Sequence, residues 1–154
     1  MLTPDESIAE VYPSFGAYVQ KVQSVLCIDN ASELPEAIQQ EIQKLVDLLE
    51  LCYFKFHLLD LAQLYAVMVF EKAMRIKLED QYKNISKIKL SVLLDRAKQL
   101  SLLDSEQILK LRLLKDFRNK GVHQSSEVID LTLVFENIHV LTVATRQLFI
   151  NNKE

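Results

Sequence analysis

Apolar residues recur along this chain at three- and four-residue intervals, not at alternate positions. Ile38, Ile42, Leu45, Leu49 and Cys52 keep helical spacing. Ile88, Val92, Leu93, Ala97 and Leu100 repeat it, and so do Ile108, Leu109, Leu111, Leu113, Leu114 and Phe117. The stretch from Val128 to Phe149 reads as a last amphipathic helix, with a frayed tail at Asn151-Asn152-Lys153-Glu154. Between these, the segment Leu58 to Leu78 is apolar on most sides from Leu61 to Phe70. That pattern belongs to a helix at the centre of a bundle.

Polar punctuation sets the expected boundaries. Thr3 as N-cap, Pro4 at the first helical position and the acids Asp5 and Glu6 read as a helix start. The helix is interrupted near Tyr12-Pro13-Ser14 and resumes to about Leu26. Asp29-Asn30-Ala31-Ser32 is turn material, and Ser32 or Glu33 with Pro35 opens the next helix. Tyr53 to His57 holds no strong stop, so the chain either bends there or runs on as one long helix. Glu79 to Asn84 closes the central helix, Ser86 caps the next, and Asp104 or Ser105 caps the one after. Gly121 suits a left-handed helix end, and Ser125-Ser126-Glu127 restarts the chain. No glycine or proline lies between Pro35 and Gly121, which is incompatible with a sheet full of tight turns. The expected fold is all-α: an up-and-down bundle of about four core helices over residues 31–154, with an N-terminal helical extension over 1–30, in one compact domain.

Composition narrows the function classes. A net charge of −3 and a pI of about 5.7 argue against a broad nucleic-acid footprint and leave room only for a local basic site. Cys27 and Cys52 have neither paired spacing nor a neighbouring His cluster, so they read as reduced core thiols; no metal site or cofactor is expected. The longest apolar run, Leu64 to Phe70, is far short of the roughly twenty residues of a membrane span. No signal peptide is expected. A cytoplasmic protein with no membrane contact follows as the expectation.

The chemistry-bearing stretch is Leu111 to His123. Leu109, Leu113 and Phe117 are expected to form a core stripe, with Arg118 on its flank, in line with Leu111 and beside Leu114. A tight helix exit at Gly121 would fold His123 back toward Arg118, whereas a continuous helix would point the two apart. Lys110, Arg112, Lys115, Arg118 and Lys120 fall within eleven residues that hold one acid, Asp116. They could recruit an RNA backbone, or simply form a solvated face favoured by the helix dipole.

Arg118-Asn119-Lys120-Gly121-Val122-His123 resembles the Arg, four residues, His motif of the HEPN superfamily. The surroundings are similar too: an apolar helix ending Phe70-Glu71-Lys72-Ala73-Met74-Arg75, then Leu93 to Ala97, then Leu100 to Asp104. The resemblance spans roughly residues 36 to 150. It differs from members with nucleotidyltransferase partners in having Gln124-Ser125-Ser126 where a Tyr would follow the His. The resemblance implies a metal-independent endoribonuclease, plausible as a toxin or defence protein with an antitoxin partner, working as a homodimer that joins two motifs across a cleft. On that footing His123 is the general base or acid, Arg118 holds the scissile phosphate, and Asn119 positions either group. Arg112, Lys115 and Lys120 would contact RNA, and Glu71 would orient Arg118.

Blander readings stand beside this one. Arg118 and His123 would serve equally to satisfy helix ends, and Asn119 to cap one. His139 reads as a satisfied core or interface histidine, and Tyr53, Phe54 and Phe56 as core. A resemblance to the mannitol-operon-repressor group makes a non-catalytic regulatory module the main alternative. Small-ligand or nucleotide binding in the helical cleft is a third class.

Overall fold

The computed structural model describes residues 2–27, 32–121 and 130–150, with backbone alone for 117–121. Among them it is all-helical: α1 (Glu6–Ala9), α2 (Phe15–Leu26), α3 (Glu36–Cys52), α4 (Leu59–Leu78), α5 (Leu90–Gln99), α6 (Ser105–Gly121) and α7 (Leu131–Ile150). Gln63 and nine apolar residues of α4, from Leu59 to Leu78, are buried because α3, α5, α6 and α7 all pack on it. The segment after α3 bends through a short 3-10 turn, Phe56–Leu58, which resolves the open boundary in favour of two helices.

Local chemistry explains most element ends. Ser14 accepts from the Ala17 amide and opens α2 directly after Pro13. Asp104 and Gln107 cap each other at the start of α6: Asp104 Oδ1 accepts from the Gln107 amide at 2.8 Å, and Gln107 Oε1 from the Asp104 amide at 3.0 Å. Leu102 N–H donates to the Ala97 carbonyl and Ser101 N–H to Lys98, closing α5 with Ser101 at φ 54°.

Three boundary expectations are corrected. Asp5, not Thr3, caps α1, its carboxylate accepting from the Ser7 amide. Ser86 lies inside a 3-10 turn, Ile85–Lys87, and α5 begins only at Leu90. Val92 and Leu100 consequently face solvent, while Leu90, Leu93, Leu94 and Ala97 are buried. The last helix starts at Leu131 behind an Asp130 cap, later than Val128. The turn at 29–31 and the tail at 151–154 lie outside the described residues.

The N-terminal helices share the core with the rest. Ile8, Tyr18 and Val22 are fully buried, and α2 packs on α3 and α7. Tyr18 Oη donates to the Leu49 carbonyl at 2.6 Å, Tyr53 Oη to Tyr12, and Arg146 to the Cys27 carbonyl. Tyr53 is buried and Phe54 and Phe56 are packed against the core, as read from the sequence. Cys27 is half-buried and Cys52 buried, both as free thiols, and burial pushes the Cys52 thiol up to about 12.

Candidate functional site

The backbone of α6 passes through positions 118 and 119 and ends at Gly121. Arg118 and Asn119 thus occupy its last turn; their side chains and that of Lys120 lie outside the described residues, as does the whole of His123. The left-handed exit expected at Gly121 and the restart at Ser125 to Glu127 fall there too.

The described part of α6 overturns the expected core stripe. Ile108, Leu111 and Leu114 are 3%, 2% and 7% exposed, whereas Leu109 and Leu113 are 60% and 62% exposed. The physical reason is that α6 carries leucine on both sides, so helical spacing alone fits either face. In helical register, position 118 follows Leu111 by seven residues and Leu114 by four.

The basic cluster is less basic in the fold than along the chain. Lys110 pairs with Glu106 at 2.9 Å, and Arg112 pairs with Asp95 from α5. Counting charges only over 110–120 misses both acids, one lying just before the cluster and one on another helix. Lys115 is half-buried at the edge of the inner face. Glu71, expected to orient Arg118, pairs with Arg75 at 2.6 Å, and Arg75 also donates to the Ile85 carbonyl.

Two polar clusters escaped the sequence reading. On one, Glu41 of α3 accepts from Tyr65 Oη and from the ammonium groups of Lys72 (3.0 Å) and Lys44 (3.3 Å). The Tyr65 hydrogen bond first, then the lysines, hold the Glu41 carboxyl at about 2, while burial and then Glu41 push the Tyr65 phenol up to about 12. This cluster ties α3 to α4. The other lines a groove of about 320 Å³ between α2 and α7, with Lys21, Ser24, Thr132, Glu136 and His139 around a floor that includes Val25 and Phe135. His139 is exposed there, not in the core, with Nδ1 2.9 Å from the Val25 carbonyl. Its three-residue offset from Glu136 was a usable signal, hidden by the apolar Ile138, Val140 and Leu141 beside it.

Among the described residues no group of three or more His, Cys, Asp or Glu could hold a metal ion, and no helix is long and apolar enough to cross a membrane. Comparison with protein-family models, with curated proteins and with solved structures gave no match.

Proposed function

We propose that this chain is a metal-independent endoribonuclease of the HEPN kind, acting as a homodimer in a toxin or defence setting. The observation that carries the reading is where the hexapeptide falls in the architecture. It spans the end of α6 and the start of the segment leading to α7, and these two helices pack on each other and on α4. Arg118 stands in the last turn of α6, and His123 follows the end of that helix by two residues in the sequence. In this reading Arg118 grips the scissile phosphate with a bidentate fork and offsets charge that builds in the transition state. Histidine side chains ordinarily titrate near pH 6.5, which suits proton transfer near neutrality, and His123 in this reading takes the 2′-hydroxyl proton or supplies one to the 5′ oxygen. The 2′-oxygen attacks phosphorus and the 5′-oxygen leaves, giving a 2′,3′-cyclic phosphate and a 5′-hydroxyl.

The test is cleavage of end-labelled RNA in EDTA by the wild type, Arg118→Ala and His123→Ala. Cyclic-phosphate products, lost by about a hundredfold or more in both folded variants, are the expected result. Cleavage that survives both substitutions removes these residues from the chemistry.

A second reading has its own observation. Leu109 and Leu113 face solvent on α6, and two of the neighbouring cations are already paired. Both facts suit a non-catalytic interaction or regulatory module. No cleavage by a folded preparation, at any protein concentration, selects that reading.

A further inference from the structure

We propose that the groove between α2 and α7 binds a small zwitterion, an α-amino acid with an apolar side chain, its carboxylate toward α2 and its ammonium toward α7. The proposal goes beyond the ribonuclease reading and does not depend on it, because no residue lining the groove belongs to α6 or to the hexapeptide.

Each helix turns one face to the groove. Lys21, Ser24 and Val25 stand three and four residues apart on α2, and Thr132, Glu136 and His139 stand four and three apart on α7. The floor is apolar: Val25 and Phe135 are 5% and 3% exposed, and Tyr12 sets its ring edge-on to Phe135 at 6.4 Å. The rim is polar, and it divides by charge. From α2 comes a cation, Lys21, with the Ser24 hydroxyl one turn on. From α7 comes an anion, Glu136, with His139 one turn on. Among the described residues, Lys21 and Glu136 pair neither with each other nor with any other side chain. Both charges are thus open to a ligand. The imidazole is held in place. Its Nδ1 lies 2.9 Å from the Val25 carbonyl, and a carbonyl only accepts, so Nδ1 carries the hydrogen. In the neutral ring, Nε2 is then left as an acceptor.

These features choose the ligand class. A groove of about 320 Å³ is at the small end of ligand pockets, which run from about 300 to 1,000 Å³, and takes one small molecule. A zwitterion answers both charges at once. Its ammonium donates to Glu136 and to His139 Nε2, its carboxylate accepts from Lys21 and Ser24, and its apolar side chain lies on Val25 and Phe135. Hydrogen bonds to charged groups are the strong ones, and here both ends of the ligand make them. A plain amine or a plain carboxylic acid leaves one protein charge unanswered. A phosphorylated ligand brings two negative charges to one lysine and sets them against Glu136. A divalent cation finds only Glu136 and His139, and among the described residues no third His, Cys, Asp or Glu joins them.

Titration of the full chain with L-leucine and with L-phenylalanine, followed through the ring-nitrogen resonances of its histidines, tests this. His139→Gln identifies the His139 signals. Saturable shifts in the millimolar range are expected at His139, with no shift at His57, which is exposed in the turn after α3. Isoamylamine, isovalerate and adenosine monophosphate are expected to bind about tenfold more weakly or not at all. Lys21→Met and Glu136→Gln, both at exposed positions, are each expected to weaken binding by about tenfold or more while the backbone spectrum stays that of the folded chain. No saturable shift from either amino acid overturns the proposal. So does binding of isoamylamine or isovalerate as tight as that of leucine, which would make the groove a merely apolar cleft. Preference for adenosine monophosphate, or an affinity unchanged in both charge variants, overturns it as well.

Discussion

Helices α4 and α6 both lack the single apolar stripe of an ordinary surface helix, and for opposite reasons. Apart from an exposed strip that includes Leu61 and Met68, α4 is apolar around its circumference because four other helices cover it. In α6 one apolar face is buried against α4, α5 and α7 while the other is open to solvent. Weak amphipathicity is therefore ambiguous evidence. It marks burial when the neighbours suffice to cover the helix, and it marks a second, solvent-exposed apolar face when they do not.

The sharpest way to break that comparison is to truncate the two helices at matched positions. Phe70 on α4 is 1% exposed, and Phe70→Ala is expected to cost about 3–5 kcal/mol. Leu111→Ala on the inner face of α6 is expected to cost about 2–5 kcal/mol. Urea unfolding midpoints measure both. A loss below about 1 kcal/mol at Leu111 would mean that α6 is not held on the bundle by its inner face.

The next effect probes how the exposed strip of α4 is fastened. Tyr65 and Lys72 reach from it to Glu41 on α3 and keep that carboxyl at about 2. A carboxylate with a lowered folded pKa adds stability that is fully present above its unfolded value near 4.5. That stability is lost as pH falls from about 4.5 toward about 2. Allowing for solvent screening of Lys44 and Lys72, the contribution is on the order of 1–2 kcal/mol. Wild type should therefore be more stable than Glu41→Gln at pH 6, with the gap closing near pH 2. A gap that does not change with pH would show that the cluster contributes no linked stability.

The contrast between the two helices also shows what could be read from the sequence. The stripe Ile38, Ile42, Leu45, Leu49 and Cys52 is buried as spaced, because α3 has polar residues on its other faces and only one orientation fits. The central place of α4 and the start of α6 at Asp104-Ser105 were legible for equally local reasons: length, all-round apolarity and a cap. The inner face of α6 was not, since Leu109-Leu113 and Leu111-Leu114 satisfy the same period. Three-dimensional pairing was out of reach too. That Asp95 neutralises Arg112, and that Glu41 receives Tyr65 and Lys72, follows only from which helices become neighbours. The hexapeptide Arg118 to His123 was legible as a string and as the end of α6, while its side-chain arrangement lies outside the described residues.

A smaller effect sits where α5 hands over to α6. Ser101 adopts φ 54°, a left-handed conformation that costs a residue with a Cβ about 1–2 kcal/mol and a glycine nothing. Part of that gain is lost to the greater freedom of glycine in the unfolded chain. Ser101→Gly is thus expected to stabilise by about 0.5–1 kcal/mol, read from thermal or urea unfolding. Destabilisation would mean that the serine side chain supplies more than the turn conformation costs.

The smallest expected effect is the most informative about α6. Leu109 is 60% exposed, so Leu109→Gln removes almost no buried apolar area within one chain. At protein concentrations low enough to keep chains apart, its unfolding free energy should stay within about 0.5 kcal/mol of wild type. The inner-face change Leu111→Ala is expected to show its full cost under the same conditions, because its contacts are intramolecular. A loss of about 2 kcal/mol for Leu109→Gln at dilution would mean that this leucine is covered by its own chain. The two faces of α6 would then be alike, and the difference from α4 would vanish.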